Sequence, residues 1–119
     1  MPCLKKRDLL NASVFDRRQC IAYGRLYAEA GSLSDAIDFF AKAEAEDEIK
    51  ALLPKIIEEG DAFLFQRIYN LLGTSPPKEE WERLGEAALR LGKLEFAARA
   101  FENSGNKERL KEINEKRLL

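Results

Sequence analysis

Hydrophobic residues recur every three or four positions along most of the chain, which is the spacing of one buried helix face. The segment 46–59 shows this spacing most clearly, through Ile49, Leu52, Leu53, Ile56 and Ile57. No segment alternates β-branched with polar residues, as a half-buried strand does. The pattern therefore predicts an all-α chain.

Glycines and capping residues divide the hydrophobic pattern into helices. A glycine follows each of five helical stretches, at positions 31, 60, 73, 92 and 105, where glycine most easily adopts a left-handed conformation. Ser13 with Asp16 and Ser32 with Asp35 resemble capping boxes, and Ser75 precedes a proline as an N-cap often does. We therefore predict seven helices, at about 14–30, 33–44, 46–59, 61–72, 77–91, 94–104 and 106–117. Their short links make successive helices antiparallel neighbours.

Two of these helices have a distinctive composition. Pro54 lies inside the helix at 46–59 and predicts a kink or a split there, since proline lacks the N–H that a helix interior needs. The helix at 61–72 is apolar almost all round. We expect it to be the most buried helix of the fold.

An internal repeat appears when the chain is shifted by 61 residues, which aligns residues 23–40 with residues 84–101 without a gap. Five positions are identical: Gly24/Gly85, Gly31/Gly92, Leu33/Leu94, Ala36/Ala97 and Phe40/Phe101. Glycine inside a helix costs about 1 kcal/mol relative to alanine. Gly24 and Gly85 therefore predict that a neighbouring helix comes too close for a side chain. Ala36 and Ala97 are the expected small residues opposite, and Phe40 and Phe101 the side chains that fill the space.

The two copies resemble a known repeat family. The second copy has Trp81-x-x-Leu84-Gly85-x-x-Ala88, followed by Gly92, Ala97, Phe101 and Ser104, and closely resembles the tetratricopeptide repeat (TPR), a helix–turn–helix unit. The first copy has Cys20-x-x-Tyr23-Gly24-x-x-Tyr27, followed by Gly31, Ala36, Phe40 and Ala43. The middle segment, 46–72, matches loosely, with Gly60 as its turn and Phe65 and Tyr69 as core positions. The resemblance implies a right-handed α-solenoid of about three antiparallel helix pairs plus a C-terminal capping helix.

The length of 119 residues favours a single TPR-like domain over residues 1–119. Its predicted parts are an N-terminal extension (1–13), repeat 1 (14–44), a degenerate repeat 2 (46–72), repeat 3 (77–104) and the capping helix (106–119). Residues 1–7 lack the apolar stretch of a signal peptide, and no run is long enough to span a membrane. We therefore expect a cytoplasmic protein.

The composition argues against catalysis, cofactor binding and metal binding. The chain has no histidine, two cysteines and a net charge of −1, and it contains no phosphate-binding glycine motif. Cys20 and the aromatic residues Phe40, Phe65, Tyr69, Trp81 and Phe101 fall on core positions. The carboxylate clusters at 44–48, 58–61 and 79–82 fit helix first turns and solvated faces. We predict no catalytic residue, cofactor or metal, and hence no enzyme.

The resemblance implies a concave face built largely from the first helix of each pair, which holds a peptide or a helix of a partner. Carrying those positions over predicts these partner-binding residues: Arg18, Arg25, Glu29, Glu79, Glu82, Glu86 and Arg90. One hypothesis is that the strip Glu79/Glu82/Glu86 meets a basic segment of the partner. The alternative is a solvated helix face with intrahelical pairs such as Glu86–Arg90.

The favoured interpretation is a non-catalytic protein–protein interaction module, a small TPR-like adaptor or scaffold. The alternative is a structural subunit that self-assembles, for instance as a homodimer, through an exposed seam on its C-terminal helix formed by Leu110, Ile113 and Leu118. An RNA-binding helical repeat led by the basic residues of 1–25 is less favoured, because that end carries only +4 and the segment 26–63 carries −7.

Overall fold

The computed structural model describes residues 16–118, and within that range every regular element is an α-helix. The helices are α1 (Arg17–Glu29), α2 (Leu33–Lys42), α3 (Glu46–Ala51), α4 (Leu53–Glu59), α5 (Ala62–Leu72), α6 (Lys78–Arg90), α7 (Leu94–Ser104) and α8 (Lys107–Arg117). The predicted all-α class is confirmed. Six predicted helices have one counterpart each, and the helix predicted at 46–59 is two helices.

The split falls next to Pro54, where α3 ends and α4 begins. Pro54 has no N–H to donate to the carbonyl of Lys50, and its ring would clash with that carbonyl in a continuous helix. The N–H of Leu52 instead bonds the carbonyl of Ile49 at 3.1 Å, which tightens the last turn of α3. The prediction of a kink or split is confirmed as a split. The chain divides into two compact units at the same place, one ending at Leu52 and one beginning at Leu53.

Helix ends were predicted better than helix starts. All five predicted glycines have a positive φ. Ser32 stands at the N-cap of α2 but its side chain makes no capping bond, and α6 begins at Lys78 behind Pro77 rather than behind Ser75. A residue before proline disfavours the helical region, so Pro76 cannot easily start a helix that must pass through Pro77. Asp16 caps α1 itself, and Ser13 lies outside the described residues.

In the first unit, α1 and α2 pack closely because Gly24 carries no side chain. The ring of Phe40 lies directly over Gly24, where a Cβ atom would overlap the ring. Phe40 and Ala36 are both buried. The predicted close approach is confirmed in this copy.

The second unit repeats the arrangement with different helices. The ring of Phe101 on α7 lies over Gly85 on α6, and a Cβ added there would be 2.7 Å from Phe101 Cζ. Ala97 is fully buried. The two copies identified from the 61-residue shift therefore share a contact as well as a sequence pattern.

The second unit also brings alternate helices together. α4 packs against α5 and α6, α5 against α7, and α8 against α7. Between α5 and α6, the rings of Phe65 and Trp81 meet edge to face at a centroid distance of 4.6 Å. These contacts form the core on which the surface of α4 and α6 rests.

Two sequence expectations about burial are wrong. α5 is not the most buried helix, because Phe63 and Leu71 are 60% and 45% exposed. The prediction that Leu110, Ile113 and Leu118 form an exposed seam on α8 is also wrong, because its central residue is buried. Ile113 is fully buried in a cluster with Ala88, Ala97, Ala98 and Phe101, Leu110 packs against that cluster, and Leu118 alone of the three is exposed. A helix that packs against a neighbour along one face buries one stripe, and the sequence pattern could not distinguish that stripe from an exposed one.

Within residues 16–118, none of the helices has both the length and the apolar character needed to cross a bilayer.

We predict that Gly85→Ala lowers the free energy of unfolding by about 1–3 kcal/mol, although alanine normally favours a helix interior. The added methyl group would overlap the Phe101 ring. Chemical denaturation measures the loss. In a Phe101→Leu background, which removes the ring, the same substitution should cost much less, and an equal loss in both backgrounds would contradict the contact.

A second prediction concerns the turn after α4. Gly60 has φ +66°, and a Cβ there would lie 2.6 Å from Ala88 Cα, whereas Gly73 has φ +73° with no atom in reach. Gly73→Ala should lower the free energy of unfolding by about 1 kcal/mol, because only the left-handed backbone conformation disfavours alanine there. Gly60→Ala should cost clearly more, because the backbone of α6 must also move. Equal losses in thermal or denaturant unfolding would show that the close approach is unimportant.

Candidate binding groove

A groove of about 380 Å³ lies between α4 and α6 in the second unit. Its apolar lining comes from Pro54 and Ile57 on α4 and from Ala87 on α6. Charged residues from the same two helices complete it: Glu58, Glu82, Arg83, Glu86 and Arg90. The groove therefore offers a small apolar surface bordered by charges of both signs.

The C-terminal halves of α4 and α6 are held together at a fixed distance. Gly60 lies against the backbone of Ala88, next to the groove residue Ala87. The ammonium group of Lys93 also donates to the carbonyl of Glu59 at 2.6 Å, which ties the turn after α6 to the end of α4. This spacing sets the width of the groove at that end.

The N-terminal part of α6 is anchored by a buried tyrosine. The hydroxyl of Tyr69 on α5 donates to the carboxylate of Glu80, with O···O distances of 2.8 and 3.0 Å to its two oxygens. Burial, reinforced by the bond to Glu80, raises the pKa of Tyr69 to about 12. The phenol therefore stays protonated and keeps donating at neutral pH.

α8 occupies the carboxylates that the sequence analysis assigned to a partner. Arg109 binds both oxygens of Glu86, through Nε at 2.9 Å and Nη2 at 3.1 Å. Its Nη1 also donates to Glu112 at 2.9 Å. The hydrogen bond to Glu112 and the charge of Glu86 raise the pKa of the Arg109 guanidinium. The amide of Asn106 donates to Glu82 at 3.1 Å.

The remaining charges of the groove have no such partners. Arg83, Arg90 and Glu58 are exposed, and among residues 16–118 none of them takes part in a hydrogen bond or ion pair through its side chain. The expected intrahelical pair Glu86–Arg90 is not formed, because Glu86 is bound by Arg109. The Asn106 amide is neutral, so Glu82 also keeps its charge. Among the described residues, the groove therefore holds two guanidinium groups on α6 without a partner, and two carboxylates without a cationic partner, Glu58 and Glu82.

The structure brings together only part of the predicted partner-binding set. Glu82, Glu86 and Arg90 line the groove, while Glu79 lies in the exposed first turn of α6 and does not. Arg18, Arg25 and Glu29 are exposed on α1, in the first unit. Arg25 is paired with Glu48 of α3, which the sequence did not indicate.

The first unit has a recess of its own, of about 450 Å³, next to the start of α3. Its lining is Arg17, Ile21, Glu44, Ala45, Glu46, Asp47 and Glu48. Glu46, Asp47 and Glu48 form the first turn of α3, as predicted for this cluster, and Arg17 Nε donates to the carbonyl of Ala43 at 2.9 Å. The position of these carboxylates in a helix first turn, where negative charge is favourable, and the Arg25–Glu48 pair account for them.

Sequence reasoning missed Pro54, Ile57 and Glu58 on the α4 side of the groove and Arg109 on α8. The concave positions were carried over only to the well-matched copies, and 46–72 matches the family loosely. The hydrophobic stripe of 46–59 did place Ile57 on a packed face. The sequence could not predict that Arg109 pairs with Glu86, because Arg109 lies 23 residues away on a different helix.

The residues described offer no cluster suited to metal binding and no buried side-chain polar atom that lacks a hydrogen-bond partner. Cys20 is buried as predicted. Burial raises the pKa of its thiol, with Lys42 lowering it and Asp16 raising it to smaller extents. A protonated, buried thiol is a poor nucleophile.

No protein-family model, curated protein or solved structure matches this chain significantly.

We predict that Tyr69→Phe removes a stabilisation that depends on alkaline pH. The pKa of Tyr69 is raised in the folded state, from 10 to about 12, so its contribution is complete below pH 10 and is lost as the pH rises through 12. The loss is on the order of 2 kcal/mol. The difference in unfolding free energy between wild type and Tyr69→Phe should therefore shrink between pH 10 and 12. A difference that stays constant would contradict the hydrogen-bonded, buried phenol.

Proposed function

We propose that this chain is a non-catalytic protein–protein interaction module of the cytoplasm, a small TPR-like adaptor that binds a peptide segment in the groove between α4 and α6. The groove carries the proposal. It combines apolar side chains with free charges, the two features that give peptide recognition affinity and specificity respectively. Pro54, Glu58, Arg83 and Arg90 are exposed, so the groove is accessible to a chain laid along it.

The proposed architecture is a right-handed α-solenoid of helix pairs with α8 as its cap. Three observations support it: the shared glycine–phenylalanine contact of the two copies, the packing of α4 on α6 and of α5 on α7, and the burial of Ile113 of α8 against residues of α6 and α7. Packing of alternate helices is typical of stacked helix pairs, in which each repeat contacts its neighbour. In such a stack α4 and α6 are first helices, and their exposed sides form the concave face.

Peptide selection followed by mapping tests this function. A phage-displayed library of random linear peptides is selected on the full chain, and the best peptide is titrated into the ¹⁵N-labelled protein. We expect the largest amide shifts at residues 54–58 and 82–90. Shifts confined to other surfaces, or no selected peptide, would contradict the proposal.

A matched pair of variants adds a second test. Glu58→Trp fills the groove from an exposed position and should weaken the selected peptide by about tenfold or more, since about 1.4 kcal/mol of lost contact suffices. Glu115→Trp makes the same change at an exposed position of α8 outside the groove and should leave binding unchanged. Equal affinities for the two variants would place the binding site outside the groove.

A further inference from the structure

We propose that two copies of this chain associate through the outward face of α1, with the two helices antiparallel about a two-fold axis. The face consists of four exposed residues: Arg18, Ala22, Leu26 and Glu29. None of them lines the groove of the second unit, so this proposal does not depend on the proposed function. It rests on an uncovered apolar stripe and on the two charges at its ends.

The internal repeat shows that α1 is open where its counterpart is covered. Leu26 is 52% exposed, whereas Ala87, its equivalent under the 61-residue shift, is buried on a helix against which α4 packs. Ala22 and Ala30, one turn before and one turn after Leu26, are exposed as well. α1 therefore presents an apolar stripe from which association would remove water.

Two charged groups without partners lie at the ends of this stripe. Asp16 caps the N-terminus of α1, and Arg17 and Arg25 have bonding partners within the first unit. Arg18 and Glu29 differ, because among the described residues their side chains make no hydrogen bond or ion pair. They are eleven positions apart, which is three turns of helix, so they lie on the same side of α1 and about 16 Å apart along its axis.

A two-fold axis near the middle of the stripe makes this face complementary to itself. When the second helix runs in the opposite direction, its Glu29 comes opposite Arg18 and its Arg18 comes opposite Glu29, as an isologous interface requires. Leu26 of each copy then meets the small Ala22 of the other. A parallel arrangement would instead place like charges together, which is unfavourable. The charge pattern therefore favours a second copy of this chain in the antiparallel orientation.

The expected contact is small. α1 has 13 residues and is about 20 Å long, and a helix is about 10 Å wide. Its face would bury on the order of 200 Å² per copy, compared with about 800 Å² per partner in a standard interface. We therefore expect a reversible dimer that forms at high micromolar concentration and dissociates on dilution.

Analytical ultracentrifugation of the full chain over a range of concentrations tests the association. The average mass of wild type should rise toward that of a dimer, and Leu26→Glu should stay monomeric. The control Leu91→Glu makes the same change at a similarly exposed leucine outside α1 and should dimerise like wild type. Wild type that stays monomeric at every concentration would overturn the proposal and leave this face to a different partner. Dimerisation of Leu26→Glu as strong as that of wild type would also overturn it.

A charge exchange tests the antiparallel pairing. Arg18→Glu and Glu29→Arg change the net charge in opposite directions, yet each places like charges opposite one another and should weaken association by about tenfold. The double variant Arg18→Glu/Glu29→Arg exchanges the two charges and should restore the affinity of wild type to within about twofold. Single variants that dimerise like wild type, or a double variant that stays as weak as the single ones, would overturn the antiparallel arrangement. Circular dichroism of each variant confirms that the substituted chain is folded.

Discussion

The approach of helices to backbone contact distance is the constraint on which the rest of this structure depends. Phe101 can lie over α6, and Phe40 over α1, only because Gly85 and Gly24 have no Cβ. Gly60 permits the same closeness between the turn after α4 and the backbone of α6. A helix interior normally disfavours glycine by about 1 kcal/mol, so Gly24 and Gly85 give up local stability for a tertiary contact. Tight packing around each glycine then fixes where the neighbouring helix surface lies.

The groove is a consequence of that packing. Gly60 and Lys93 hold the end of α4 beside α6, and Tyr69 and Trp81 fix the beginning of α6 against α5. Among residues 16–118, the groove residues Glu58, Arg83 and Arg90 make no hydrogen bond or ion pair through their side chains. We therefore expect that the charge at these three positions can change with little effect on the fold.

α8 affects both the hydrophobic core of the second unit and the charges beside the groove. It buries Ile113 in the cluster of Ala88 and Phe101, and so covers apolar surface that would otherwise be exposed. It also brings Arg109 to Glu86. The second contact neutralises Glu86 of the acidic strip, while Glu82 keeps its charge beside the neutral amide of Asn106. One helix thus covers apolar core surface and changes the charge character of the adjacent groove.

The sequence by itself determined the local structure, because local structure depends on neighbours in the chain. The 3.6-residue periodicity predicted the helices, the glycines their ends, Pro54 the break between α3 and α4, and the 61-residue shift the contacts of Gly24 and Gly85. Its errors were of another kind. Ser75 does not cap α6, because the Pro76-Pro77 step moves the helix start to Lys78. Ile113, expected to be exposed, is buried, and Phe63, expected to be buried, is exposed. Of the Glu79/Glu82/Glu86 strip, Glu82 is bonded by Asn106 and Glu86 by Arg109. Only the tertiary structure decided these, since burial and ion pairing join residues that lie far apart in sequence, and no local pattern records which partner a side chain will meet.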